Sequence, residues 1–524
     1  MDSLLKSIPK KSEVVKGLKG RERKLALLKW RKLKRAVKLA IKEQNAKLPQ
    51  ETNGAAVAGI RLLTLVKSIT INYSLTNNSR LPGYMDSTKL LGENLSSRQP
   101  GFAYIFGKMP TEQWLEQKAR QHIISEDPQF NDYYSRTYTE GLNLSAELEP
   151  VKDLIIDLTA TKSFNKNYSE LFKDTAGTGN FEHLSPYSAG GFTVSYASFK
   201  SLFSKSSSGK VSAEFKNFSD YRTIISKRLA AQNSYYNGTT SDDGYATGYG
   251  RYAQNVLIPA FIAAYTGKSP DKVGLVKEDN PDIKTNPLGS IFPKPNWTIN
   301  YSGLNRLGNL SNIFSGITIT NAYNGSLAMN SFTSALNFQD PLMRGEPAFI
   351  DSTSGNYVPY FLIPNITISE NFEPLIGLNL TLVNQSNIQF QYSKSKTLSL
   401  SLIDYQVSES DQTSYQLGFN IVKHNVNLPF APKPKLKKGQ PKGVGNDLSF
   451  GLNMSMTNQF TSNTTLDQTS NYSTGGQKVW MFSPSVNYVL NNRINLRLFL
   501  YATANCSIHF YCAANNGYQC RVGN

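Results

Sequence analysis

Residues 388–402 read Ile-Gln-Phe-Gln-Tyr-Ser-Lys-Ser-Lys-Thr-Leu-Ser-Leu-Ser-Leu. Alternate positions are apolar from Ile388 through Phe390 to Tyr392, and again from Leu398 through Leu400 to Leu402. A period of two separates into two faces on a β-strand. The intervening Gln389, Gln391, Ser393, Ser395, Thr397, Ser399 and Ser401 form an uncharged polar row. A soluble sandwich usually turns Lys and Glu to water, whereas a membrane barrel turns an apolar row to lipid and a polar row to a wet lumen. The stretch therefore predicts a barrel strand with Gln389, Gln391, Ser399 and Ser401 toward the lumen and Leu398, Leu400 and Leu402 toward lipid. Lys394 and Lys396 oppose this assignment. They share the phase of Phe390 and Leu400, where a charge at the bilayer midplane costs about 2 to 4 kcal/mol. Either the strand leaves the membrane there, or a bulge switches its phase, or a turn intervenes.

The same period recurs on both sides. Upstream it runs through Ile69, Ile71, Tyr73 and Leu75, then Leu142, Leu144, Ala146 and Leu148, and after Pro150 through Leu154, Ile156, Leu158 and Ala160. It returns at Phe192 to Tyr196, Ile317 to Tyr323, Ile366 and Ile368, and at Ile376, Leu378, Leu380 and Leu382. Of this last set the three leucines are assigned to lipid and Ile376 to neither face. Downstream it continues in Tyr415 to Ile421, Leu448 to Met456, and Leu496 to Leu500. About fourteen candidate strands, with short turns such as Glu149-Pro150-Val151 alternating with long loops, predict an all-β chain with helical insertions, an antiparallel transmembrane β-barrel wall.

The helical insertions fall near residues 110–125, 213–232 and 252–266, the last two separated by the Gly/Ser/Asp-rich run 237–250. They belong outside the lipid, because irregular backbone cannot cross it exposed. The loop 428–445 sets Lys433, Lys435, Lys437, Lys438 and Lys442 among prolines and reads as a solvated connector.

Charge is unevenly placed. The 524 residues carry 56 Lys and Arg against 38 Asp and Glu, a net +18, but residues 1–50 alone hold 16 against 4. Residues 12–45 read as a basic helix suited to phosphate-bearing surfaces. The expected organisation is a basic helical segment over 1–55, a barrel segment over 56–500, and an atypical tail over 501–524 that holds Cys506, Cys512 and Cys520. No apolar run reads as a secretory signal, and the longest, Val256 to Tyr265, is too short for a membrane helix and contains Pro259.

Catalytic patterns are missing. His122, His183, His424 and His509 are scattered, and the cysteines match no zinc spacing. Gly267-Lys268-Ser269 ends like a phosphate loop, but position 262 is Ile where such a loop needs Gly. Asp242-Asp243-Gly244 is too short for a calcium loop. The chain reads as a non-enzyme without cofactor or metal.

Six ordered motifs carry a resemblance. They are Asn72-Tyr-Ser-Leu followed by Leu81-Pro-Gly-Tyr84; Tyr221-Arg-Thr-Ile-Ile-Ser-Lys-Arg-Leu229; Ile258-Pro-Ala-Phe-Ile-Ala-Ala-Tyr-Thr-Gly267; Pro295-Asn-Trp-Thr-Ile-Asn-Tyr-Ser-Gly-Leu304; Ile368-Ser-Glu-Asn-Phe-Glu-Pro-Leu-Ile-Gly377; and Ser483-Pro-Ser-Val-Asn-Tyr-Val-Leu with its continuation to Leu498. Together they resemble the SprA/Sov family of gliding-motility and type IX secretion proteins. The resemblance implies a very large barrel in the Gram-negative outer membrane, at the cell surface, that conducts secreted protein cargo. Its implied partners are plug proteins, other components of the secretion system and outer-membrane lipid. Family members are several times longer, so the chain is expected to be a C-terminal portion. Two other readings stand beside it: a self-contained porin or transporter of about fourteen strands plugged by its helices, and, less favoured, a basic nucleic-acid-binding protein. No nucleic acid is expected as a partner.

Overall fold

A computed structural model describes residues 11–14, 16–17, 19–47, 65–204, 211–278, 282–342, 344–424, 426, 447–467, 472–491 and 494–511. The chain divides into two compact units at Val66. In the first, helix α1 (Gly20–Lys47) is highly cationic, and Trp30 lies under the Lys34 ammonium at 5.0 Å.

The second unit is a mostly antiparallel β-structure with helical insertions. Its strands are β1 (Val66–Arg80), β2 (Tyr134–Val151), β3 (Leu154–Asp174), β4 (Phe181–Ser195), β5 (Asn296–Tyr301), β6 (Phe314–Ser334), β7 (Phe361–Leu362), β8 (Asn365–Leu382), β9 (Asn387–Ser401), β10 (Gln406–Lys423), β11 (Leu448–Thr465), β12 (Tyr472–Asn491), β13 (Ile494–Phe499) and β14 (Ala502–Tyr511). Pairing follows chain order in one sheet from β1 to β13. Among the described residues this path does not return on itself.

Two lanes of the sheet are split. β4 pairs the upper parts of β3 and β6, while β5 pairs their lower parts, Leu154 to Thr159 and Ile319 to Tyr323. One strand position is thus filled by two segments, and the chain between them leaves the wall at mid-height. β13 and β14 likewise share the far side of β12. At the first break the wall closes tightly: the Tyr196 N–H donates to the Gly325 carbonyl at 2.9 Å, and a Cβ on Gly325 would lie 2.1 Å from the Tyr196 carbonyl oxygen. Only a glycine permits that approach.

Helix α2 (Glu112–Arg120) belongs to the β1–β2 connection, while α3 (Ala213–Gln232) and α4 (Gln254–Thr266) belong to the long insert between β4 and β5 that leaves the wall. Thr111 and Ser212 cap α2 and α3 by accepting the Trp114 and Phe215 amides. α4 is apolar around its whole circumference and ends at Gly267 in the left-handed region, φ 73°. Val256, Leu257, Ile258, Ala260 and Phe261 are fully buried, and Phe261 meets Phe218 edge-on at 6.3 Å. The main core forms where these helices meet Phe164, Phe192, Val194, Leu327, Met329, Ile366, Ile368, Leu398, Leu400 and Val407 of the sheet.

The helix boundaries agree with the sequence pattern for α3 and α4, whereas α2 stops at Arg120 because His122 turns to positive φ. Besides β14, three strands went unread from periodicity: β5, six residues that follow Pro295; the two-residue β7; and β12, broken by Gly475, Gly476 and Pro484. The two apolar sets at 366–368 and 376–382 prove to be one strand, β8, interrupted by a register shift between Phe372 and Ile376. The tail that reads as atypical forms β14 against β12 as far as Tyr511, while Cys512, Cys520 and the lysines of loop 428–445 lie outside the described residues. Replacing Phe261 with Ala is expected to cost about 3 to 5 kcal/mol, because the packed helix pair cannot collapse around the void. Denaturant unfolding of the chain checks it.

Candidate functional site

The register assigns every side chain of the wall to one of two faces. β9 pairs β10 without interruption from Ser401↔Gln406 to Asn387↔Asn420, so β9 itself has no bulge or turn at Lys394 and Lys396, and the register shift beside Lys394 belongs to β8. Both lysines stand on the same face as Phe390, Tyr392, Leu398 and Leu400. Across the neighbouring strands this face carries Leu378 and Leu380 on β8, Tyr415, Leu417 and Phe419 on β10, Phe450, Leu452, Met454 and Met456 on β11, and Trp480, Phe482 and Val486 on β12. Ile317 and Ile319 of β6 and Ile299 and Tyr301 of β5 extend it the other way. Many of these are open to the surroundings: Trp480 is 48 % exposed, Phe450 43 %, Phe482 41 % and Leu498 of β13 75 %. Isolated apolar residues on a surface are ordinary, but a continuous band across consecutive strands is not.

The opposite face is mostly polar, with Val422 of β10, Val479 and Met481 of β12 and Phe499 of β13 as apolar exceptions. Gln389 and Gln391 stand beside Asn379 and Gly377 on one side and Gly418 and Gln416 on the other, followed by Asn453 and Ser455 and then by Ser483. Ser399 and Ser401 lie on the same face higher up, Gln389 is exposed, and the other three are half-exposed.

Going up the apolar face, three layers follow one another. First comes the exposed band. Its upper margin is an aromatic row in which Trp297 is opposite Tyr323, Tyr323 opposite Phe372, Tyr392 opposite Tyr415, and Met456 opposite both Tyr415 and Trp480. The Tyr392 and Tyr415 rings stack at 4.8 Å and the Trp297 and Tyr323 rings at 4.6 Å.

Above it is a charged layer. Glu140 and Lys162 pair at 3.4 Å, Lys394 and Asp411 at 3.5 Å, and Lys396 and Glu409 at 3.6 Å, the last pair almost fully enclosed. Glu370, opposite Lys396 and 1 % exposed, accepts the Ser198 and Phe199 amides at 2.8 and 2.9 Å and the Tyr323 hydroxyl at 2.7 Å. Glu409 accepts the hydroxyls of Ser212, the cap of α3, and Tyr265, near the end of α4, each at 2.7 Å. Buried carboxylates are tolerated only when paired and hydrogen-bonded in this way. The layer bolts the helical insert to the wall, and Arg222 of α3 adds a second anchor on Asp467 at 2.6 Å, at the β11–β12 turn.

Uppermost is the insert itself, which covers Leu398 and Leu400. The expectation that these two look toward lipid is corrected: they are 1 % and 0 % exposed in the helix–sheet core, and Leu402 is half-buried against it. Leu378, Leu380 and Leu382 are half-exposed at the band, with Ile376 at 53 %. The helices cover the apolar face and not the polar one. Alternation located the faces; it could not say what covers each height. Glu370, Glu409 and the aromatic row were missed, although each stands at an apolar-phase position within a strand.

Among the described residues no cluster of His, Cys, Asp or Glu could hold a metal ion, and no helix is long and apolar enough to cross a membrane. Compared with known proteins, the chain matches no family model and no curated sequence.

Glu409→Ala removes an acceptor shared by Lys396, Ser212 and Tyr265, and is expected to cost about 3 to 5 kcal/mol and to open residues 196–295 to limited proteolysis before the wall. Glu278 of the insert, its carboxyl enclosed by the Asn255 side chain and the Tyr360 amide, is pushed by burial from 4.5 up to about 7. The folded chain then holds a proton that the unfolded chain releases, so stability falls as pH rises from about 4.5 to 7, by about 3 kcal/mol. Denaturation across that range should show the slope in the parent and lose it in Glu278→Gln.

Proposed function

We propose that this chain forms part of the wall of a protein-conducting β-barrel in the Gram-negative outer membrane, of the SprA/Sov type. The observation that carries the reading is the exposed apolar band, bounded above by an aromatic row and backed by a polar face on the same strands. On β11 the band runs from Leu448 to Met456 and on β12 from Trp480 to Tyr488, nine residues each, and a tilted strand needs about 9 to 11 to cross the hydrocarbon core. Aromatic rows mark the water interface of such barrels. Lys394 and Lys396 then stand above the bilayer, where their carboxylate partners are.

The conduit is passive. Gln389, Gln391, Gln416, Asn453 and Ser455 line a wet lumen that offers passing polypeptide hydrogen bonds and little apolar surface to adhere to. The connections 81–133 and 335–360 and the insert lie on the same side of the band, as long loops do on the extracellular side of outer-membrane barrels, whereas residues 424–447 join β10 to β11 at the opposite end. Plug and secretion partners would supply direction and gating.

A self-contained porin is less favoured. Among the described residues the pairing path has eleven positions, an odd number, with β1 at one edge and β13 and β14 at the other, whereas single-chain bacterial barrels close with even numbers. The open edges suit a wall completed by further strands.

The test substitutes one residue on each face of β12. Phe482→Arg, on the band, is expected to lower stability in phospholipid bilayers by about 2 to 4 kcal/mol, while Ser483→Arg next to it changes it little. Equal effects, or a parent chain that stays monomeric in buffer without detergent, would overturn the reading.

A further inference from the structure

The insert encloses a cavity of about 900 Å³ between α3, α4 and the segments that follow them. Its cationic lining stands out: Lys268, Lys272 and Lys294 are exposed, and among the described residues none has a carboxylate within 4.0 Å. The Lys268 and Lys294 ammoniums lie 5.3 and 4.7 Å from the centre of the Tyr196 ring, and are therefore within about 10 Å of each other. Lys294 donates once, to the Ala197 carbonyl at 2.6 Å, and keeps two donors free. Tyr196 lines the same cavity; it is 2 % exposed, and its buried hydroxyl has no hydrogen-bond partner among the described residues. The two carboxylates in the lining are already engaged, Glu278 by Asn255 and Tyr360, Glu346 by Ser234.

Position gives the cavity its meaning. Tyr196 pairs with Gly325, two residues along β6 from Tyr323 in the aromatic row, and Lys294 precedes Trp297 of that row by three residues. Phe199, 38 % exposed, folds back from the insert onto Tyr323 and Trp297 at 4.8 and 5.7 Å. The lysines thus stand just above the aromatic margin on the face that carries the band. Resting on the membrane reading above, we infer that this cavity binds the phosphate-bearing headgroup of an outer-leaflet glycolipid. Lys268, Lys272 and Lys294 grip the phosphates, the Tyr196 hydroxyl donates to one of them, and the acyl chains run down the apolar band. Ammonium–phosphate contacts are charge-assisted and strengthened where water is thinned. Free inorganic phosphate shares the chemistry but has no chains to hold it at this depth.

The test uses the full chain in phosphatidylcholine nanodiscs with and without diphosphoryl lipid A, and native mass spectrometry counts the lipid A that stays bound. Retention is expected for the parent chain and about tenfold weaker retention for the triple variant Lys268→Gln, Lys272→Gln, Lys294→Gln. The control Lys89→Gln, Lys108→Gln, Lys152→Gln loses the same charge elsewhere and should bind as the parent does. Equal loss in both triples, or none in the first, overturns the site. Competition by inorganic phosphate at concentrations matching lipid A would instead assign a free-anion site and overturn the headgroup. A chain that enters nanodiscs but ignores lipid A refutes this inference alone; a chain that does not enter them refutes the membrane reading as well.

Discussion

The Glu370, Lys396 and Glu409 layer is the constraint on which the second unit depends. A lysine and two carboxylates enclosed to within a few per cent of full burial are costly unless each lone pair and proton is used. Here the wall supplies the charges and the insert supplies most of the remaining partners: the Ser198 and Phe199 amides for Glu370, the Ser212 and Tyr265 hydroxyls for Glu409, the Ser204 hydroxyl for Lys396. Neither side satisfies itself. Apolar packing of α3 and α4 against the sheet provides the bulk of the burial, but packing alone allows sliding. The polar layer sets one height and one register for the insert.

That height governs the surface below. Because the insert ends at the charged layer, the apolar side chains beneath the aromatic row stay uncovered while those above it are sealed. The same periodic pattern therefore serves two environments along a single strand, an open band at Phe390 and Tyr392 and a protein core at Leu398 and Leu400.

The strand content and the separation into an apolar and a polar face were legible in the sequence, because alternation is a local property that pairing cannot alter without flipping every side chain. Which stretch of an apolar face meets protein was not, since Leu398 and Leu378 have similar neighbours and differ only in what packs on them from residues more than a hundred positions away. The anomaly at Lys394 and Lys396 was the one visible trace of that difference. β5 escaped notice because six residues opened by Pro295 give too few periods, and β12 because Gly475, Gly476 and Pro484 break its rhythm. The basic cavity joins Lys268 and Lys272, just after α4, to Lys294 before β5, so Gly267-Lys268-Ser269 alone could not announce it.

The split lane of β4 and β5 has a further consequence. Both halves are held by the same two neighbours, β3 and β6, so the hydrogen-bond ladder on either side continues past the break. The width of the sheet is then independent of how much chain is interposed between Tyr196 and Pro295. Such a breach works as a graft point: the interposed module can lengthen or shrink without adding or removing a strand of the sheet.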